Sequence, residues 1–236
     1  LKLKGPLIKG TFINRPNRFL TNVRIGESIV ASHLPDPGRL NELLYPGATV
    51  YLREADDTTH RSTNFSTVLV KAGKIIVSLD TTLPNRLVKG LLINQELSFL
   101  KDFTFKKQEV SVGKHRIDFL LQKKNARLFY LEVKSVTYVN NKIARFPDAV
   151  TVRGRKHIEV LAKLAAQKNT EAGVLFICQR PDAVEFRPMW DRDPAFGRAL
   201  IMASNNGVKA WCITTRISFE DISVFNEIPV NLKSKP

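Results

Sequence analysis

Phe129-Tyr130-Leu131-Glu132-Val133-Lys134-Ser135-Val136 decides the reading of this chain, together with Arg116-Ile117-Asp118-Phe119-Leu120-Leu121 just before it. Each is an apolar run of strand character interrupted by charge. Residues two apart on a strand share a face, so Glu132 and Lys134 point the same way. If the two strands pair as a hairpin, Asp118 meets Glu132 near one end of a sheet. Two carboxylates there make a hard oxygen site suited to Mg²⁺ or Mn²⁺, with the Val133 carbonyl as a third candidate ligand. Lys134 then lies beside the ion, a cation for a phosphate in transition or for an attacking hydroxide. The alternative is an amphipathic strand whose Glu and Lys face water. A Glu and a Lys inside a central strand, beside an Asp inside another, favour the metal site.

Outward from this pair the chain divides in two. Downstream, strand and helix alternate: a helix near Val152–Gln167, a strand Gly173–Cys178, a helix Pro194–Asn205 and a strand Val208–Thr214. Asp193-Pro194 supplies a capping Asp with Pro at the first helical position, and Gly207 ends that helix. Such alternation implies parallel neighbours with right-handed crossovers, hence an α/β sandwich with a mixed sheet. Upstream, Asn85 is expected to cap a helix over Arg86–Leu97. Strands Phe105–Val112, His115–Gln122 and Arg127–Val136 follow it. Before Pro84 the pattern changes to short strands: Leu7–Ile13, Phe19–Ile25, Ser28–His33, Thr49–Arg53, Ser66–Lys71 and Lys74–Leu79. A turn at Ala72-Gly73 and a short helical patch at Leu40–Leu44 complete that half, which reads as an OB-fold-like β-barrel. The expected domains are 1–83 and 84–236, followed by a polar tail at Lys233–Pro236.

The chain of 236 residues is 43% hydrophobic and 25% charged, the profile of a cored protein. Its 37 Lys and Arg against 22 Asp and Glu leave a formal charge of +15. Within 101–168 alone, 16 basic residues face 6 acidic ones, a net of +10. That excess points to a polyanion, nucleic acid before membrane surface. No apolar stretch approaches the roughly 20 residues of a spanning helix. Leu1–Lys9 alternates basic and apolar residues and lacks a signal-peptide core. Cys178 and Cys212 lie in apolar runs and read as buried free thiols, which points to the cytoplasm. A homo-oligomer is compatible with all of this.

Arg153, Arg155 and Lys156 crowd the first turns of the helix that Thr151 is expected to cap. Cations there oppose the helix dipole by about 0.3–1 kcal/mol each, whereas a docked phosphate would explain them. His157 reads equally as a structural histidine or as a contact at the scissile phosphate. Arg116 joins the basic set. In the first half, Arg15, Arg18 and Arg39 with Phe19 offer cations and an aromatic for a nucleic-acid strand. The competing reading of Phe19 is a barrel-core residue, and His33 reads as structural. Pro37-Gly38 reads as a turn.

Asp118 followed by Glu132-Val133-Lys134 after a leading helix resembles the PD-(D/E)XK nuclease core. The chain as a whole resembles the sugar fermentation stimulation protein family. The resemblance is carried by Asn17-Arg18-Phe19-Leu20, His33-Leu34-Pro35-Asp36-Pro37-Gly38-Arg39-Leu40 and Leu83-Pro84-Asn85-Arg86-Leu87. It continues in Arg116-Ile117-Asp118-Phe119, Leu131 through Thr137, Phe146 through Thr151 and Arg153 through His157. It implies an N-terminal OB-type domain, a C-terminal nuclease-like domain and DNA binding, with a regulatory link to sugar metabolism in some members. Many relatives carry an acidic residue where Gly90 stands here, and nucleases of this core often complete the metal shell from that helix. Glu96 is the substitute ligand expected from this sequence. The expected function is largely sequence-independent DNA binding with an Mg²⁺- or Mn²⁺-dependent phosphodiesterase site at Asp118, Glu132 and Lys134. The alternative is a non-catalytic DNA-binding regulator that retains the scaffold.

Overall fold

The computed structural model describes residues 1–56, 59 and 61–233; residues 234–236 of the polar tail lie outside them. The first six strands are β1 (Ile8–Asn17), β2 (Leu20–Ile25), β3 (Ser28–His33), β4 (Thr49–Glu54), β5 (Phe65–Ala72) and β6 (Ile75–Ser78). They pair in the order β3-β2-β1-β4-β5-β6, and Ser32↔Phe65 with His33↔Ser66 close β3 onto β5. This pairing closes the sheet into the OB-like barrel expected from the short strands, with β6 at its margin. Alternate residues Phe12, Val23, Val50, Leu52, Val70 and Val77 fill it. Leu40–Leu44 is not a helix. Leu43 and Leu44 both donate their N–H to the Leu40 carbonyl, forming one turn, and their side chains plug the barrel. The seven residues between Gly38 and Pro46 are too few to offset helix nucleation, so burial of the leucines sets their conformation. The hairpin between β5 and β6 turns at Gly73-Lys74, since Ala72 pairs with Ile75 and Gly73 takes the positive φ.

The remaining elements are α1 (Leu83–Ile93), a 3₁₀ turn (Ser98–Leu100), β7 (Phe103–Val112), β8 (His115–Lys123), β9 (Leu128–Val136), β10 (Val139–Asn140), β11 (Ile143–Phe146), α2 (Val152–Ala165), β12 (Thr170–Cys178), β13 (Glu185–Pro188), α3 (Pro194–Asn205), β14 (Lys209–Ile217) and β15 (Ile222–Ile228). Six strands form one mixed sheet in the order β15-β14-β12-β9-β8-β7, with β9, β12 and β14 parallel and the flanking pairs antiparallel. Both faces are covered, so β12 is apolar at every position from Ala172 to Cys178. Leu175 and Ile177 join the core beneath α1, and Val174, Phe176 and Cys178 join the core beneath α2 and α3. Val68 and Leu69 of the barrel belong to the α1 core, which fuses the two halves. Cys178 and Cys212 are buried free thiols, and burial pushes Cys178 up to about 12.

Helix α1 begins before its expected start. Thr82 occupies the cap position without a side-chain cap bond, and Pro84 lies in the first turn, where its fixed φ suits a helix and its missing N–H costs nothing. The helix ends at Ile93 because Gln95 adopts φ of 57°. Asn85, expected as the cap, is free for another contact. Thr151 does cap α2, accepting Gly154 N–H at 3.0 Å. Asp193 caps α3 through Oδ1 to Phe196 N–H, while its Oδ2 accepts Thr151 N–H, so one carboxylate fixes the starts of both helices. Among the described residues, no helix is long and apolar enough to cross a membrane.

Candidate functional site

The hairpin of β8 and β9 holds its ladder from Gln122↔Leu128 to Phe119↔Leu131. Beyond that pair, the Asp118 carboxylate takes the Val133 N–H through Oδ2 at 2.7 Å. A side chain thus occupies the place of a ladder carbonyl and lets the strands part. Asp118 Oδ1 accepts the Asn85 Nδ2 hydrogen of α1 at 2.8 Å. On β9, Glu132 and Lys134 do share a face, and the Lys134 ammonium contacts Glu132 Oε1. His157 on α2 brings Nδ1 to the same Oε1 at 2.5 Å. Glu132 is only 2% exposed, which excludes the solvated-strand reading. Its other oxygen, Oε2, is buried without a hydrogen-bond partner. A buried carboxylate oxygen left unpaired costs on the order of 1–3 kcal/mol or more, so it calls for a partner.

Charge at this point is unbalanced. Burial, followed by the nearby Glu132 charge, pushes Asp118 up to about 6 against the Val133 and Asn85 hydrogen bonds and the Lys134 charge. Burial also penalises the Glu132 charge, but Lys134 and His157 outweigh it and hold this carboxyl below its usual range. The arrangement is therefore one carboxylate held in its charged form beside one whose charge Lys134 offsets only in part. Among the described residues, no three His, Cys, Asp or Glu side chains form a metal-ligating group. Two carboxylates suffice for a cation such as Mg²⁺, which keeps several waters and takes further oxygens from substrate phosphates. The donor set, with Glu132 Oε2 unpaired, fits a hard divalent ion.

The pair lines a cleft of about 730 Å³ between the two halves of the chain. Arg18, Phe19 and the Asp36-Pro37-Gly38 loop of the barrel form one wall; Tyr138, Arg145 and the 146–154 segment form the other. The walls touch at Gly38, where an added Cβ would meet the Asp148 carboxylate at 2.4 Å and force it to shift. Leu40 N–H points to Asp148 Oδ2 at 3.4 Å. Asp36 accepts Gly38 N–H at 2.8 Å.

The other residues singled out in the sequence separate. Of the three cations on α2, Arg153 lines the cleft. Arg155 pairs with Glu159 at 3.6 Å, and neither it nor the exposed Lys156 is among the lining residues. His157 is neither a phosphate contact through Nδ1 nor a mere core filler: it anchors Glu132. Glu96 is a correction. It lies past the end of α1, exposed, with its carboxylate accepting from Asn94 Nδ2, because the helix stops at Ile93. Gly90 is exposed with open space around it and is not among the residues that line the cleft. Arg116 is exposed and paired with Glu109 at 3.2 Å. Arg39 is exposed and outside the cleft lining. Arg15 is a structural cation, donating to the Gly38, Arg39, Arg18 and Asp36 carbonyls. Phe19 is 49% exposed and not a core residue. Sequence reasoning missed Asn85 as a site residue, and missed Arg145 and Tyr138 altogether.

Residues 13–79 match the model described as the SfsA N-terminal OB domain, and residues 82–221 match the sugar fermentation stimulation protein RE domain. A sugar fermentation stimulation protein homolog of Clostridium botulinum (strain Langeland) is 38% identical over 98% of this chain and 100% of its own length. The homolog of Alkaliphilus metalliredigens is also 38% identical, over 97% of this chain and 98% of its own length. The structure of Pyrococcus furiosus SfsA in complex with Ca²⁺ superposes with a TM-score of 0.87 at 29% identity, covering 98% of this chain and 99% of that one. The chain belongs to the sugar fermentation stimulation protein family.

Proposed function

We propose that this protein binds DNA largely without regard to sequence and hydrolyses its phosphodiester bonds at the Asp118–Glu132 pair with a bound Mg²⁺ or Mn²⁺. The observation that carries the reading is Glu132 Oε2, buried and unpaired beside a carboxyl pushed up to about 6. A divalent ion supplies Lewis-acid polarisation of the phosphate and an acidified water. Asp118 and Glu132 would hold it, with the Val133 carbonyl as a further oxygen. The Ca²⁺ bound by the Pyrococcus furiosus relative supports a hard, oxygen-ligated cation in this family.

The chain's own residues divide the remaining work. Asn85 fixes the Asp118 carboxylate from α1, and His157 fixes Glu132 from α2. Lys134, only partly exposed and lining the cleft, offers an ammonium to the charge that develops on phosphate oxygens. Arg18, Arg145 and Arg153 provide backbone-phosphate contacts along the walls. The basic excess within 101–168 supports electrostatic, sequence-independent attraction.

The test is incubation of the purified protein with single-stranded DNA, duplex DNA and RNA in Mg²⁺, Mn²⁺ or EDTA, beside Glu132→Gln. Metal-dependent DNA cleavage that EDTA and Glu132→Gln abolish is the expected result. Binding without cleavage in any metal would replace this reading with that of a non-catalytic DNA-binding regulator.

A further inference from the structure

We infer that the cleft takes a single strand of DNA, with one unstacked base lying on the ring of Phe19. The inference rests on the phosphodiester reading above and adds the substrate's strandedness and the residue that reads it.

Phe19 sits where folding has no use for it. Asn17 pairs with Leu20, so Arg18-Phe19 is a two-residue turn between β1 and β2. Such turns favour glycine and small polar residues, not an aromatic. The ring is half exposed and contributes nothing to the barrel core. Its backbone is nevertheless held from several sides. Phe19 N–H donates to Asn17 Oδ1 at 2.9 Å, and Leu34 N–H donates to the Phe19 carbonyl at 2.8 Å. Arg15 Nη2 donates to the Arg18 carbonyl at 2.7 Å while its other hydrogens tie that turn to the 36–39 loop. An apolar ring on a fixed backbone, lining the cleft, is a prepared surface.

The ligand that fits has a flat face and a nearby negative charge. The Arg18 guanidinium lies 5.9 Å from the ring centroid, and Arg145 and Arg153 line the same cleft. Base faces inside a duplex are covered by their neighbours, so a protein ring can stack only on a base that has left the helix. Dimensions agree. Cavities of roughly 300–1,000 Å³ enclose one small organic molecule, and the cleft, at about 730 Å³, has room for a nucleotide against the Phe19 ring. Contact between the 38–40 loop and Asp148 closes the cleft on one side, so its two walls are joined there.

The experiment uses the full chain in EDTA with a 12-nucleotide single-stranded DNA carrying 2-aminopurine, its matched duplex and the same sequence as RNA. Wild type, Phe19→Ala and Phe19→Trp are compared, with melting curves as the control for folding. The expected result is tighter binding of the single DNA strand than of the duplex or the RNA, with quenching of the 2-aminopurine. Phe19→Ala should weaken single-strand affinity about ten-fold and remove the quench, while Phe19→Trp retains both. Single-strand affinity and quench unchanged in a folded Phe19→Ala protein would overturn this inference alone, whatever the cleavage assay gives. Preference for the duplex or for RNA would do the same. Absence of binding to every nucleic acid would overturn it together with the function beneath it.

Discussion

Asn85, the third residue of α1, donates its side-chain N–H to Asp118 in the middle of β8 at 2.8 Å. This bond joins the helix on one side of the sheet to a carboxylate whose other oxygen holds the Val133 N–H. The leading helix therefore contributes an amide to the site, which orients a carboxylate without adding negative charge. Asn85→Ala should weaken divalent-metal affinity about ten-fold, the scale seen when a residue that orients a metal ligand is removed. Loss of a hydrogen bond to a charged group should also cost about 1.5–3 kcal/mol of stability. Calorimetric titration with Mn²⁺ and a melting curve measure the two effects separately.

Arg153 and Arg155 stand two residues apart on α2 yet have different surroundings. Arg153 lines the cleft, whereas Arg155 is engaged with Glu159. Arg153→Ala should weaken duplex and single-strand binding and reduce the slope of log affinity against log salt by about 0.7–0.9, the contribution of one phosphate contact. Arg155→Ala should have the smaller effect on binding. Its stability should change by less than about 0.5 kcal/mol, because a surface i,i+4 pair and relief at the positive helix end nearly cancel. A salt series with both variants decides between them.

Arg15 holds the barrel side of the cleft. Its guanidinium donates four hydrogen bonds to carbonyls of two loops that have no other side-chain tie to each other of this kind among the described residues. Arg15→Ala removes the donor from the part-buried Gly38 and Asp36 carbonyls and should destabilise the chain by about 2–4 kcal/mol. Arg15→Lys should recover little, since an ammonium cannot span the same fork. Thermal melting of both variants gives the comparison.

Asp36 gives the fold a pH dependence. Burial, reinforced by Asp148 across the domain contact, pushes it up to about 6 although Gly38 N–H and Arg15 favour its charge. The folded chain then binds a proton more readily than the unfolded chain. This group's contribution is fully favourable at low pH and is lost as pH rises from about 4 through about 6. Asp36→Asn keeps an oxygen for Gly38 N–H and removes the charge. It should stabilise the protein by about 1–3 kcal/mol at pH 7.5, and the gain should shrink towards zero at pH 4. Melting temperatures of both proteins across that range are the check.

The parts of this molecule that were legible in the sequence are those set by local rules. Helix α3 runs from Pro194 to Asn205 as expected, because a capping Asp, a first-turn Pro and a terminal Gly all act within a few residues. The meeting of Asp118 with Glu132 follows from strand period and a hairpin, both local. What escaped depends on docking. Asn85 carries the same signal whether it caps its own helix or reaches Asp118, and only the approach of α1 to β8 separates the two. His157 meets Glu132 because α2 packs over β9, which no pattern near residue 157 encodes. Strands β10, β11 and β13 have two to four residues, too few to show a period. Phe19 looked like core because an aromatic at a strand start usually is. The ring turned outward because two turn residues separate β1 from β2.

Asp118 and Glu132 are together expected to hold one divalent cation. Calorimetric titration of Mn²⁺ and Ca²⁺ into the wild type, Asp118→Asn and Glu132→Gln tests this most directly, with gel shifts in EDTA run on the same samples. One ion per wild-type chain is expected, with at least a ten-fold loss of affinity in each variant. DNA binding in EDTA should be retained or tightened, because each variant removes a charge that repels phosphate. Metal affinity unchanged in both variants would show that these two carboxylates do not hold the ion, and would leave the buried, unpaired Glu132 Oε2 without the partner assigned to it.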